Sequence, residues 1–103
     1  MKNLGFGMMR LPVFSGPTDF DYEQLNRMTD AFLEAGYTYF DTSYVYHEGR
    51  SEEATRKTLV ERHPRDHFTV ATKFPTFLEI PEDRIEETFQ SQLDNLGDRK
   101  SVV

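Results

Sequence analysis

The chain has 103 residues and a formal net charge of −6, with 29% charged residues and no cysteine. This length allows one ordinary domain with a real core, and the lack of cysteine excludes disulfides, thiolate nucleophiles and cysteine-type zinc sites. The acidic charge argues against a broad nucleic-acid surface, which needs clustered Lys and Arg, and no apolar run approaches the ~20 residues of a membrane span.

The first predicted element is a short, apolar, glycine-spaced run. Residues 4–8 predict a buried strand, in which Gly5 and Gly7 would let a backbone or a ligand come close. The run lacks a third glycine and a helix start directly after it, so it does not indicate a dinucleotide fingerprint. Residues 12–18 are rich in turn formers and predict a loop.

A helix is predicted after this loop. Asp19 or Asp21 can cap it, and Gln24 is placed to complete a capping box from Asp21. Gly36 supplies a left-handed stop, and residues 37–40 predict the next strand. The helix carries an apolar stripe formed by Leu25, Met28, Phe32 and Leu33.

The second predicted helix begins at Ser51, which we expect to cap it. Glu52 and Glu53 in the first turn suit the helix dipole. Pro64 ends the helix, and residues 68–71 predict a third strand. The apolar face of this helix is thin and consists of Ala54, Leu59 and Val60.

The third predicted helix starts at Pro81 and closes at Gly97. Its apolar face is formed by Ile85, Phe89, Leu93 and Leu96. The order β-α-β-α-β-α predicts an α/β fold with parallel strands and right-handed crossovers. We expect the core between sheet and helices to contain Phe32, Phe40, Phe68, Phe89 and Leu93.

Proton-handling side chains cluster between the second strand and the second helix, where α/β folds collect their chemistry. They are Asp41, Tyr44, Tyr46, His47 and Glu48. A phenol can act as a proton donor, and an ammonium beside a phenol favours the phenolate. A carboxylate paired with the same lysine keeps that ammonium charged and in place. Tyr46, Lys73 and Asp41 could form such a relay at the ends of adjacent strands.

This stretch resembles the aldo/keto reductase family, which has an aspartate at the end of its second barrel strand and a tyrosine five residues later. Asp41 and Tyr46 fill these places, and Ser51-Glu52 matches the helix start that follows. Lys73 matches the family's lysine at the end of the third strand. The resemblance covers about residues 4–97 and implies a partial (β/α)8 TIM barrel, because a whole barrel needs about 200–250 residues.

The resemblance implies NADPH-dependent reduction of an aldehyde or ketone to an alcohol, with Asp41, Tyr46 and Lys73 as catalytic residues and no metal. It also implies cofactor contacts from Asp41 and from the loop residues Gly7, Met8, Met9 and Arg10. Residues 1–97 would form the reductase-like part and 98–103 a divergent tail, for which a truncation and a reading-frame change both stay open. We expect little or no turnover from this chain, since the family's later strands supply most of the cofactor contacts.

Each catalytic residue also has a plain structural reading. Tyr46 could be an amphipathic loop aromatic, Asp41 could cap the turn after its strand, and Lys73 could be an exposed strand-end lysine. Tyr44 competes with Tyr46, but it lies too close to Asp41 for the family spacing. Met8 and Met9 could be core filler.

The histidines do not predict a metal site. His63 and His67 have the i, i+4 spacing of zinc ligands on a helix, but Pro64 between them argues for a surface loop. His47 could touch a substrate, but it is expected to be a solvated turn histidine.

Two non-enzymatic readings stay open beside the reductase: a non-catalytic truncated fragment and an α/β binding or interaction module. A small-molecule carbonyl compound is the expected partner, without nucleic acid or membrane, and open sheet edges favour self-association. The N-terminus lacks a signal-peptide pattern, so a cytoplasmic location is expected. The substrate, and the choice between NADPH and NADH, are not specified by the sequence.

Overall fold

The computed structural model describes residues 4–98, which form a three-stranded parallel sheet packed against helices. The strands lie in the order β1-β2-β3, with both pairs parallel, and span Gly5–Gly7 (β1), Tyr39–Asp41 (β2) and Thr69–Ala71 (β3). The helices are α1 (Tyr22–Glu34), α2 (Tyr46–Gly49), α3 (Ser51–Thr55) and α4 (Ile85–Leu96). The parallel α/β architecture expected from the sequence is confirmed.

Several short turns complete the helical part of the fold. The helix that begins with α3 continues as a π-helical turn, Arg56–Val60. Short 3₁₀ turns span Arg65–His67, Thr76–Leu78 and Glu82–Arg84. Pro81 therefore precedes a 3₁₀ turn, and α4 itself starts four residues later than the proline predicts.

The strand register separates the two faces of the sheet. Phe6, Phe40 and Val70 are aligned across the three strands, and Phe40 and Val70 are fully buried in the core. Neighbouring side chains along a strand point to opposite faces, and Tyr39, one residue before Phe40, is 44% exposed. The helices therefore cover the face that carries Phe40 and leave the other face open.

Helix α1 begins and ends as the sequence predicts. The Asp21 carboxylate accepts a hydrogen bond from the Gln24 N–H at 3.1 Å, and Gly36 adopts a left-handed φ of 92° just after the helix. The Asp21 N–H donates to the Pro12 carbonyl at 2.8 Å, so Gln24 does not complete the capping box that the sequence predicts. Asp19 does not cap the helix, and its carboxylate accepts from the Ser15 hydroxyl.

Strand β1 is not the buried strand that residues 4–8 predict. It spans only Gly5–Gly7, both of whose glycines are exposed, and Leu4 is 55% exposed. Only Phe6, which is half-buried and packs against the core, and the buried Met8 after the strand meet the expectation. Strand β2 likewise begins at Tyr39 rather than at residue 37.

The expected core is correct except at Phe89. Phe40, Phe68 and Leu93 are buried, and Phe32 is half-buried and packs against the core. Phe89, in contrast, is 41% exposed. The buried residues of α4 all lie in its C-terminal half, and they are Gln92, Leu93 and Leu96. Phe89 precedes this buried half.

The C-terminal end of the described chain is fastened to the fold. Gly97 closes α4 with a φ of 63°, and the Asp98 carboxylate is buried and accepts from Arg65 Nε at 2.8 Å. Residues 99–103, the rest of the expected tail, lie outside the described residues. Within residues 4–98, every helix is too short or too polar to cross a membrane.

Candidate functional site

The candidate site lies where the three strands end. Hydrogen bonding continues past the strands, with the Met8 N–H donating to the Asp41 carbonyl and the Thr42 N–H donating to the Ala71 carbonyl, both at 2.8 Å. Parallel strands bring their carboxyl ends to one edge of a sheet. The residues that follow β1, β2 and β3 are therefore neighbours in space.

At this edge the structure brings together the three residues expected to be catalytic. Lys73 Nζ donates to Asp41 Oδ1 at 2.5 Å and to the Tyr46 hydroxyl at 3.1 Å. The ammonium also lies 5.0 Å from the centroid of the Tyr46 ring. Lys73 thus stands between the carboxylate and the phenol, with Asp41 at the end of β2 and Tyr46 at the start of α2.

The surroundings of Lys73 keep its side chain charged. Partial burial is the largest single influence and disfavours the ammonium, but the hydrogen bonds to Asp41 and Tyr46 and the attraction of Asp41 outweigh it. Together they raise the pKa of Lys73 above its ordinary value. The side chain is 54% exposed, so water screens part of this interaction.

The turn that carries Tyr46 has an uncommon backbone. His47 and Glu48 both adopt left-handed conformations, with φ of 52° and 55°, and Gly49 follows with a φ of 86°. Non-glycine residues rarely adopt such angles, which persist only where surrounding contacts hold them.

The contacts that hold this turn come from the His47 ring. Nε2 accepts a hydrogen bond from the Leu11 N–H at 3.0 Å, and Nδ1 lies 2.7 Å from the Pro17 carbonyl oxygen. Because Nε2 is an acceptor, the ring proton is on Nδ1, which donates to Pro17. The ring also packs against Phe20 at 5.1 Å. The expectation of a solvated turn histidine is therefore wrong.

The residues expected to contact a cofactor separate into two groups. Gly7 lies in register with Asp41, and a Cβ added there would meet nothing within 4 Å. Met9 is 56% exposed, and Arg10 is exposed beside it. The Met8 side chain is fully buried in the core, so it fills space there and does not face a ligand, as the resemblance implied it would.

Beneath the strand ends lies a set of polar side chains, all buried except the half-buried Asn95, that the sequence analysis does not predict. Glu52 is fully buried, and its carboxylate accepts from the Thr72 hydroxyl at 2.5 Å. It also accepts from Gln92 Nε2 at 3.1 Å and from Asn95 Nδ2 at 3.3 Å. We call these residues, with Ser51, the polar layer.

Ser51 belongs to the polar layer and does not cap α3. The helix starts at Ser51 itself, and the preceding Arg50 makes no side-chain cap. The Ser51 hydroxyl instead donates to the Met8 carbonyl at 3.1 Å and lies 2.8 Å from the Thr42 hydroxyl. A sequence signal did exist, because Ser51, Thr55 and Thr58 share one helical face and all three are fully buried.

The environment of Glu52 opposes its charge. Burial is the main influence and raises the pKa of this carboxyl, although the hydrogen bonds from Thr72, Asn95 and Gln92 act in the other direction. Glu53, the next residue, behaves differently. The hydrogen bond from Arg50 is the main influence, and it lowers the pKa of Glu53.

His63 lies in an ion-pair site with Asp30 and Arg62. His63 Nε2 lies 2.7 Å from Asp30 Oδ1, and Arg62 donates to both carboxylate oxygens of Asp30. The hydrogen bond from Arg62 is the main influence that lowers the pKa of Asp30. No group of acidic and histidine side chains among residues 4–98 has the arrangement of a metal site.

A cavity of about 500 Å³ lies beside the site. It is lined by Tyr44, Val45, Glu48, Gly49 and Asn95. Its lining includes neither Lys73 nor the two side chains that Lys73 contacts. The candidate site is therefore the open strand edge, where the three groups converge, and it is separate from this cavity.

Comparison with known proteins gives a consistent result. The sequence profile of the aldo/keto reductase family matches residues 3–100. The chain is 36% identical over 69 residues to an aryl-alcohol dehydrogenase [NADP(+)] of Phanerodontia chrysosporium. That match covers 60% of this chain and 18% of the relative.

Solved structures show the same fold. The chain matches the thermostable aldo-keto reductase Tm1743, in complex with the inhibitor epalrestat, with a TM-score of 0.71 and 24% identity, over 91% of this chain and 34% of that one. An aldo-keto reductase from Klebsiella pneumoniae in complex with NADPH also has a TM-score of 0.71, at 20% identity, over 91% of this chain and 31% of that one. The chain therefore corresponds to about a third of these barrels.

Proposed function

The chain belongs to the aldo/keto reductase family, and on this basis we propose that its strand ends supply the proton in the NADPH-dependent reduction of an aldehyde or ketone to an alcohol. The observation that carries the proposal is the position of Lys73, whose ammonium donates to both Asp41 and Tyr46. In this order the phenol is the proton donor, the ammonium stabilises its developing negative charge, and the carboxylate holds the ammonium in place.

Each of the three groups has a separate task in this proposal. NADPH, when bound, supplies the hydride for the carbonyl carbon. The Tyr46 hydroxyl gives its proton to the carbonyl oxygen. Lys73 occupies a lone pair of the phenol oxygen, so the O–H bond stays available for the substrate. Its positive charge also stabilises the negative charge that develops on Tyr46 as the proton leaves.

Asp41 holds the ammonium in place. Its carboxylate is 2.5 Å from Lys73 Nζ and has 35% side-chain exposure. Removing it would leave a long lysine side chain free to rotate among its rotamers. We therefore assign Asp41 the task of orienting Lys73 toward the phenol.

The residues around Gly7 fit a nicotinamide cofactor at this edge. Gly7 offers open space directly beside Asp41, and the exposed Met9 and Arg10 follow it in the chain. A glycine in a strand often marks a place where a ligand comes close to the backbone. We propose that the backbone of 7–10, with Met9, Arg10 and Asp41, forms this chain's share of the NADPH site.

The test combines turnover with cofactor binding. We expect NADPH absorbance to fall slowly with a panel of aldehydes, because an open edge lets water weaken the field of Lys73. Tyr46→Phe should abolish this turnover, while Tyr44→Phe, the same change two residues earlier in the loop, should retain it. Adding NADPH to the ¹⁵N-labelled chain should shift the amide signals of residues 7–10.

Two results would overturn the proposal. One is turnover that persists unchanged in Tyr46→Phe. The other is an absence of both turnover and NADPH-induced shifts in a chain that is folded by circular dichroism.

A second candidate is a non-catalytic role in self-association. The specific observation is a group of exposed apolar side chains that the described fold does not cover, namely Leu78, Ile85 and Phe89. Unpaired strand edges add to this tendency. Sedimentation velocity separates the candidates, because an assembling chain should change its mass distribution with concentration.

The lack of cysteine fits a reducing compartment, and we propose a cytoplasmic location.

A further inference from the structure

We propose that Ser51 and Glu52 are positioning residues that fasten all three strand ends to α3 and thereby hold Lys73 against Tyr46. The inference deepens the proposed function and rests on it for the meaning of Lys73. Its geometry, however, can be measured without any turnover.

The first observation is that two consecutive residues reach three strands. Ser51 donates to the carbonyl of Met8, which follows β1, and accepts from the hydroxyl of Thr42, which follows β2. Glu52 accepts from the hydroxyl of Thr72, which follows β3. The first turn of α3 is therefore joined to every strand end at the site edge.

The second observation is the cost of this arrangement. Glu52 is fully buried, and the partners that the structure gives its carboxylate are neutral. Buried carboxylates are rare unless a charge or several donors compensate them. An apolar side chain would fill the same volume with less desolvation. The glutamate at position 52 is therefore better explained by the atoms that its hydrogen bonds hold in place than by a gain in folding stability.

The third observation connects the polar layer to Lys73 itself. Gln92 Nε2 donates to Glu52 Oε2 at 3.1 Å and to the Lys73 carbonyl at 2.9 Å. Thr72, one residue before Lys73, donates to the same carboxylate oxygen. Glu52 therefore binds the Thr72 side chain directly and is linked to the Lys73 carbonyl through Gln92. Because the lysine side chain is half exposed, this fixed backbone decides where its ammonium can reach.

The structure indicates which substitutions should and should not disturb Lys73. In Glu52→Gln, the side-chain oxygen can still accept from Thr72 and Gln92, and the new amide can face Asn95, whose amide group can turn to present its oxygen. In Glu52→Ala, the donors of Thr72, Gln92 and Asn95 lose their acceptor. Glu53→Ala is the matched control, because it removes the same charge one residue later on the partly exposed side of α3.

The experiment follows Lys73 by NMR in the 103-residue chain labelled with ¹³C-lysine, with its signal assigned from Lys73→Arg. In the parent we expect an NOE between the Lys73 ε-protons and the Tyr46 ring, and a titration midpoint above that of an ordinary lysine. Glu52→Ala should lose the NOE and move the midpoint toward the ordinary lysine value. Glu52→Gln and Glu53→Ala should retain both.

Gln92→Leu is measured in parallel, because it still tests the proposal if Glu52→Ala does not fold. It keeps the buried volume and removes the link between Glu52 and the Lys73 carbonyl, so it should also weaken the NOE. An unchanged NOE and midpoint in a folded Glu52→Ala, or in Gln92→Leu where Glu52→Ala unfolds, would overturn the proposal. An absence of turnover in a parent chain that shows both Lys73 signals would count against the proposed function, but not against the positioning of Lys73 by Glu52.

Discussion

Helix α1 and the helix that begins with α3 face the same sheet, but they bury different proportions of polar side chains. Helix α1 packs Leu25 into the core, with Phe32 and Leu33 partly buried beside it, and it buries one polar side chain, Thr29. The helix from Ser51 onward buries Glu52, Thr55 and Thr58 as completely as Leu59. The first helix is held mainly by apolar contact, and the second also carries a row of directed hydrogen bonds.

This difference separates stability from positioning within one small fold. Apolar burial stabilises without regard to direction, whereas a buried hydrogen bond fixes the relative position of two atoms and is costly when broken. The polar helix lies directly under the candidate site and the apolar helix does not contribute a residue to it. Substitutions in the two helices should therefore have effects of different size, sign and pH dependence.

The largest effect is expected at Leu25, which is fully buried in the core. Leu25→Ala should lower the free energy of unfolding by about 2–5 kcal/mol, because it removes apolar contact and leaves a cavity. Leu33→Ala, on the half-buried side of the same stripe, should cost clearly less. Urea unfolding followed by circular dichroism measures both, and equal losses would contradict the deeper burial of Leu25.

The next effect has the opposite sign and depends on pH. Because burial raises the pKa of Glu52, the folded chain binds this proton more tightly than the unfolded chain. Below the ordinary value of 4.5 both states are protonated, and as the pH rises through the folded pKa the fold must bury a charge and becomes less stable. Glu52→Gln does not titrate at this position and should be more stable than the parent at pH 7.

The measurement is a series of urea unfolding curves from acid to neutral pH. The advantage of Glu52→Gln over the parent should shrink as the pH falls toward the ordinary glutamate value. Glu53→Gln serves as the control, since the hydrogen bond from Arg50 lowers the pKa of Glu53 and the sign should reverse. A pH-independent difference for Glu52→Gln would show that its burial is not what opposes the charge.

A smaller effect is expected at the cap of α1. Asp21→Ala removes the acceptor of the Gln24 N–H and should cost about 1 kcal/mol. Asp19→Ala, which removes a carboxylate that α1 does not use as its cap, should cost less. Thermal melts of the two variants distinguish them. A larger drop in melting temperature for Asp19→Ala than for Asp21→Ala would show that Asp21 is not the cap.

The smallest effect is expected at Phe89, where the sequence predicts a core residue. A buried phenylalanine would cost about 3–5 kcal/mol on truncation to alanine, but Phe89 is 41% exposed. Phe89→Ala should therefore change the free energy of unfolding by less than about 1 kcal/mol. Leu93→Ala, one turn along the same helix and buried, provides the contrasting variant in the same urea experiment.

The parts of the fold that the sequence predicts correctly depend on local chemistry. Asp21 caps α1, and Gly36 and Gly97 terminate helices, because backbone geometry over a few residues decides each of these. The convergence of Asp41, Tyr46 and Lys73 was also expected, since parallel strands place their ends together. Their catalytic roles stay a prediction.

The parts that the sequence does not predict depend on contacts between distant segments. Glu52 lies in a first helical turn, where a solvent-facing acid is the ordinary expectation, and only its meeting with Thr72 and Gln92 buries it. Phe89 lies on a correct amphipathic stripe, but a stripe does not tell how far along the helix its neighbours reach. His47 is a similar case, because both of its ring partners come from a loop about 30 residues earlier.

The two hydrogen bonds of the His47 ring join the loop 11–17 to the segment 43–50. In a chimera with a related protein, these two segments can be exchanged only together. A graft that imported a different 43–50 segment without a histidine at position 47 would leave the Leu11 N–H and the Pro17 carbonyl without their present partners. Leu11 is buried, and an unpaired buried donor costs about 1–3 kcal/mol. Recombination that respects this fold must therefore carry residues 11–17 and 43–50 from the same parent.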